Sequence, residues 1–189
     1  MLLTDFETVN LGPLNELLSK QYDGMESRFA GIEMIPSFIM SAAFALEEFP
    51  SVNGNNNYIN VGIKNGDLHF MIKDANKRDM GQIEDDIIRT IKSKRVADTW
   101  NEEETFSIIN TGMLEEDIAT TIIEHSVSAV MGIHSIHEKP YTFSDKKVAD
   151  RPCMDISLTY KADVITKEDA RDFLMDMKDL LENPEPSDE

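Results

Sequence analysis

At 189 residues, 41% of them apolar, the chain has the size of one domain with a sizeable core rather than two. Its 36 acidic side chains against 18 basic ones leave a formal net charge of −18, which opposes binding to nucleic acid or an anionic membrane, since both depend on basic patches. No apolar run reaches the roughly 18 residues a bilayer span requires. The start Met1–Glu7 lacks the basic and long apolar parts of a signal peptide. A soluble, cytoplasmic protein is expected, with the mitochondrial matrix as the alternative if the chain was excised from a longer eukaryotic precursor. The single cysteine, Cys153, cannot close an internal disulfide and reads as a small apolar residue on a strand.

In chain order, Leu2–Asn10 reads as an opening strand, and Pro13 followed by Leu14, Leu17 and Leu18 suits an amphipathic helix. Ile35–Phe49 carries a proline near its start, apolar residues almost all round and Pro50 as its stop, the pattern of a buried helix. Tyr58–Ile63 and Leu68–Ile72 read as strands joined through Asn65-Gly66, a strong hairpin signal. Met80–Val96 places Ile83, Ile87, Ile88 and Ile91 on one helical face and Glu84, Asp85, Arg89, Lys92 and Lys94 on the other. A polar connection over 99–104 holds the only tryptophan, Trp100.

Phe106–Asn110 and Ser128–Ile133 have strand character, as does Met154–Tyr160, which runs through a loop into a helix over Lys167–Leu181. That helix lines up Ala170, Phe173, Leu174, Met177, Leu180 and Leu181, with Thr166 as its cap and Asp169 three residues on, in the manner of a capping box. The acidic, proline-broken stretch 185–189 is expected to be a disordered tail after a core domain over 1–184.

Several short runs carry a resemblance when taken in order. They are Ala45–Asn53, Val61-Gly62-Ile63, Lys73-Asp74-Ala75, Thr105–Gly112, Ile122–His125, Ser128–Ile133, Lys139-Pro140 before the next strand, and Tyr160–Lys167. Together they resemble the catalytic domain of dihydrolipoamide acyltransferases, the core subunits of 2-oxo acid dehydrogenase complexes, within the chloramphenicol acetyltransferase-like superfamily. The resemblance implies an α/β fold, a two-layer sandwich with a mixed sheet packed by helices, here without the family's usual amino-terminal helix and strand. It also implies a trimer with active sites between subunits. The segment after the first hairpin, which helps shape the family's substrate tunnel, is shortened here.

The same register implies a change in chemistry. Where the family has its reactive histidine, a downstream aspartate and an oxyanion-stabilising serine, this chain has Ala162, Thr166 and Ile109. A positioned base contributes roughly 10²–10⁴-fold to such a reaction, and one oxyanion donor about 10²–10³-fold. Fallback candidates are His134, His137, Ser107 and Asn110. Ser107 shares a strand face with Ile109, whereas His134 and His137, three apart, fall on opposite faces of a regular strand, which disfavours a shared metal site. His69 with Asp74 misses the family's spacing, and His125 has no such partner. Asp85-Asp86 and Glu115-Glu116-Asp117 read as exposed helix charge. Phosphate-cradling glycine loops, zinc spacings and serine-hydrolase elbows are absent from the sequence.

Two functions follow as expectations. One is a catalytically silent scaffold subunit, comparable to the inactive component X of pyruvate dehydrogenase complexes. It would form a homotrimer or co-assemble with acyltransferase subunits, require no cofactor and retain coenzyme A binding only by family likeness. The other is an active acyltransferase, moving an acyl group between dihydrolipoamide and coenzyme A with relocated catalytic residues.

Overall fold

The protein's structure, a computed structural model, describes residues 1–21, 34–66, 68–93, 103–112 and 127–184. Its strands are β1 (Leu2–Asn10), β2 (Val61–Asn65), β3 (Leu68–Ile72), β4 (Phe106–Asn110), β5 (Ala129–Thr142) and β6 (Val148–Lys161). The helices are α1 (Gly12–Gln21), α2 (Ile35–Glu48), α3 (Met80–Ser93) and α4 (Lys167–Glu182), with a short 3₁₀ turn at Ala75–Lys77. The strands form one mixed sheet in the order β1-β6-β5-β4-β2-β3. Within it β2, β4 and β5 run parallel as neighbours, and the remaining pairs are antiparallel.

Period-two alternation decides which side of the sheet is buried under helices. Ile63, Phe106, Ile108, Met131, Ile156 and Leu158 point to one face and join Phe38, Leu46, Ile83 and Phe173 in a single core. Phe173 anchors it, edge-on to Phe106 with ring centroids 5.5 Å apart and to Phe49 at 6.3 Å. The opposite face of the inner strands is mostly polar yet buried: Ser107, His134, Ser157 and Thr159 are each no more than 3% exposed.

Thr166 caps α4 as expected, its hydroxyl accepting from the Asp169 amide at 3.0 Å. The box, however, is not closed by Asp169, whose carboxylate instead accepts from Ser51 at 2.7 Å and ties the loop after α2 to α4. Gly66 takes the left-handed conformation (φ 61°) that the Asn65-Gly66 hairpin demands. Cys153 is buried on β6, and burial pushes its thiol up.

Several local expectations are corrected. The first hairpin strand begins at Val61 rather than Tyr58. Ile88 does not join Ile83 and Ile87 in the core and is 45% exposed; Phe44 of α2 likewise faces outward. Lys139-Pro140 lies within the end of β5, ahead of β6 as expected, and Pro140 stands opposite Asp150 in the long β5–β6 hairpin. Trp100, Glu115–Asp117, most of the Ala119–Gly132 match, His125 and the tail 185–189 lie outside the described residues, apart from the 127–132 part of that match. Among the described residues, no helix is long and apolar enough to cross a membrane.

Candidate functional site

Ala162 follows β6 in a turn pinned to the edge of the sheet. Its amide donates to the Met1 carbonyl at 2.9 Å, while the Val164 and Ile165 amides both return to Lys161 O at 3.0 Å. Thr166, four residues on, is committed to its helix cap. Ile109 sits elsewhere: it pairs with Gly132 of β5, which pairs with Ser157 of β6. From Ser157 to Ala162 is five residues of chain, roughly 16 Å at ~3.3 Å per residue, and two strand spacings of about 4.8 Å separate β4 from β6. The three positions therefore do not converge within one chain.

Ser107 of β4 is 1% exposed and donates a short hydrogen bond to the Glu104 carboxylate. Glu104, whose side chain is fully buried, lies over Gly62 of β2, where any Cβ would fall inside the carboxylate. Its other oxygen is 3.4 Å from Nε2 of His69 on β3. Glycine within a strand marks a close approach of another group, and Glu104 is the group that makes it. A hydroxyl carries a single proton to donate, and that of Ser107 is spent on Glu104 rather than offered to a developing oxyanion. Asn110, the neighbouring candidate, turns inward and accepts the Gly112 amide at 3.1 Å.

His134 is 3% exposed and occupies a bulge. Ile133 pairs with Ile156 and Ile136 with Met154, so His134 and Ser135 together face Asp155. The bulge corrects the expectation that His134 and His137 point to opposite faces: the extra residue restores the phase, and His137 pairs with Cys153 on the same side of β6. They nevertheless remain separate, His134 buried and His137 exposed. The hydrogen bonds fit the Nδ1–H tautomer of the imidazole. Thr111 donates its hydroxyl proton to Ile133 O at 3.1 Å, so it accepts from His134 Nδ1–H at 2.7 Å. Nε2 then accepts from the Ser157 hydroxyl at 3.0 Å. Burial pushes the imidazole below its ordinary pKa, with Asp155 partly offsetting the effect.

Glu104, Thr111 and Ser157 are the site residues the sequence did not yield as candidates. Gly62, between Val61 and Ile63 in β2, was the signal for Glu104. Thr111 and Ser157 meet His134 only across strand pairings that sequence spacing does not define. Among the described residues, no group of three or more His, Cys, Asp or Glu side chains is placed to hold a metal ion.

Such a sheet and helix arrangement is that of the chloramphenicol acetyltransferase fold: the chain superposes on chloramphenicol acetyltransferase with a TM-score of 0.63 at 12% identity, over 95% of this chain and 85% of that one. It superposes more closely on Azotobacter vinelandii dihydrolipoamide acetyltransferase, with a TM-score of 0.80 at 22% identity, over 97% and 82% of the two chains. The family model for the 2-oxoacid dehydrogenases acyltransferase (catalytic domain) matches residues 2–187, and the chain belongs to that family. Among its relatives are the dihydrolipoyllysine-residue succinyltransferase components of the 2-oxoglutarate dehydrogenase complexes of Pseudomonas aeruginosa and Staphylococcus saprophyticus. The first is 30% identical over 97% of this chain and 49% of the relative, the second 28% identical over 97% and 47%. The chain thus spans about half the length of these curated relatives.

Proposed function

We propose that this chain is a catalytically silent relative of the acyltransferase core, acting as a trimeric structural subunit, alone or in co-assembly with active subunits of a dehydrogenase complex. The observation that carries this reading is the setting of Ala162: among the described residues, no imidazole stands beside it. His134 is bonded to Ser157, roughly 16 Å back along β6. His137 lies opposite Cys153, still further from Ala162, and His69 is on β3 at the far edge of the sheet. The hydroxyl nearest Ile109 along the strand, that of Ser107, is engaged by Glu104.

Retention of most of the core supports an architectural role, because much of the packing of an acyltransferase is kept where the reactive groups are replaced. Solved relatives include the cubic core of the pyruvate dehydrogenase multienzyme complex, and a cytoplasmic place in such a complex follows by kinship. Coenzyme A binding without turnover fits the same reading.

Two measurements test it together. Light scattering after size-exclusion chromatography is expected to give a trimer or a larger assembly of trimers, and a clean monomer overturns the structural role. A thiol-release assay with acyl-coenzyme A and dihydrolipoamide is expected to give no turnover above background. Turnover abolished by His134→Ala or His137→Ala establishes the active-enzyme reading instead.

A further inference from the structure

The polar knot around His134 joins three strands at a point where the sheet is irregular. Thr111 closes the end of β4, His134 occupies the bulge of β5 and Ser157 lies within β6, all three no more than 3% exposed. The Phe6 ring of edge strand β1 lies over the imidazole, centroids 6.1 Å apart. The Thr111 amide also donates to Ile133 O at 2.9 Å, so the backbone end of β4 depends on the same junction.

We propose that His134 is an acid-sensitive latch: its neutral imidazole fastens the end of β4 to β6 across the bulge, and proton uptake opens that junction. The hydrogen-bond pattern is satisfied by the neutral imidazole, and a second ring proton requires a hydroxyl to reorient. Nδ1–H already donates to Thr111, and Nε2 must accept from Ser157. A proton on Nε2 sets a donor against a donor, so Ser157 must turn its own proton into a buried space while a cation is held away from water.

The charged groups on this side are Asp155 of β6, Lys139 of β5 and, further along β5, His137. Asp155 favours the imidazolium. Its carboxylate, however, is already bound by Lys139 Nζ at 2.7 Å and by the Thr8 hydroxyl of β1 at 2.6 Å. β1 otherwise presents Phe6, and the end of β4 presents Thr111, neither of which carries charge. Desolvation therefore outweighs Asp155, in agreement with the lowered pKa of His134. A histidine whose folded pKa is depressed contributes stability that is complete above its unfolded value, about 6.5, and is lost as pH falls through the folded value. One proton limits the loss to about tenfold in the opening equilibrium per pH unit.

The test uses the intact protein, which has only four histidines. Ring C2–H signals are followed by NMR from pH 8 to 5, with amide exchange at Thr111 read in the same samples and corrected for intrinsic rate. The expected result is that His134 stays neutral to lower pH than an ordinary imidazole, and that Thr111 protection then falls by up to about tenfold per pH unit. In His134→Gln this acid response disappears, while in His137→Gln it persists. Ordinary titration of His134 with Thr111 protection unchanged overturns the proposal, as does an undiminished acid response in His134→Gln. If His134→Gln does not fold, the wild-type titration alone decides.

Discussion

Ile109 and Ala162 stand at different levels of the same sheet: Ile109 is aligned through Gly132 with Ser157, and β6 continues past Ser157 before reaching Ala162. One chain therefore cannot bring side chains at the two positions to a common substrate atom. Any site using both must draw one of them from a second copy.

This separation makes reconstruction a stepwise matter. Ala162→His alone is expected to leave coenzyme A release about 10²–10³-fold below that of a complete site, since a base without an oxyanion donor lacks that factor. Combining Ala162→His with Ile109→Ser and Thr166→Asp is expected to raise release above Ala162→His alone, provided the trimer forms. Asp at 166 keeps a capping side chain on α4. The thiol-release assay on the single and triple variants decides, and full activity from Ala162→His alone contradicts the assignment of Ile109 to a lost donor.

Gly62 and Glu104 are coupled by space. Gly62→Ala is expected to destabilise the fold by about 1–3 kcal/mol through overpacking, because the methyl falls on a buried carboxylate. Adding Glu104→Ala removes the obstacle, so the double variant should be less damaged than the two single losses summed. Urea unfolding of the four proteins measures the coupling, and strict additivity contradicts the contact.

Much of this architecture could be read from the chain, and the exceptions share a physical cause. The helix face Ala170–Leu181, the Thr166 cap and the Asn65-Gly66 hairpin are local: period, cap and turn chemistry lie within a few residues of one another. The bulge at His134 and Ser135 exists only relative to Asp155 on the partner strand, so alternation counted along β5 alone reverses the phase of His137. The Ser107–Glu104–His69 cluster depends in the same way on β2, β3 and β4 lying side by side. Ile88 and Phe44 show the limit of apolar spacing, which finds a helix's apolar stripe but not how much of it the neighbouring elements cover.

Tyr160 supplies a prediction at the alkaline end. Burial first, then the hydrogen bond to Asp5 at 3.0 Å and its charge, push the phenol up to about 12. Its folded value lies above the unfolded value of about 10, so this stabilising contribution is complete below about pH 10 and is lost as pH rises through about 12. Phenolate absorbance of the four tyrosines should show a last step near that value. The step should vanish in Tyr160→Phe, which also loses about 1 kcal/mol with the hydrogen bond.

The α4 cap gives a fourth expectation. Thr166→Ala removes the acceptor for the Asp169 amide and should lower stability by about 1 kcal/mol, read as a shift of the urea midpoint at unchanged slope. Ser51→Ala separates the cap from the tie between loop and helix, since it removes the Asp169 side-chain contact alone.

The neighbouring of β1 and β6 sets a timetable for synthesis. Thr4 meets Thr159 across 155 positions of chain, so β1 is translated well before β6, the strand it pairs with. At about 5–20 residues per second that interval is roughly 8–30 s, during which Phe6 and the unpaired edge of β1 are open to foreign strands and to chaperones. Slow closure of so distant a contact makes translation speed between β1 and β6 a determinant of yield.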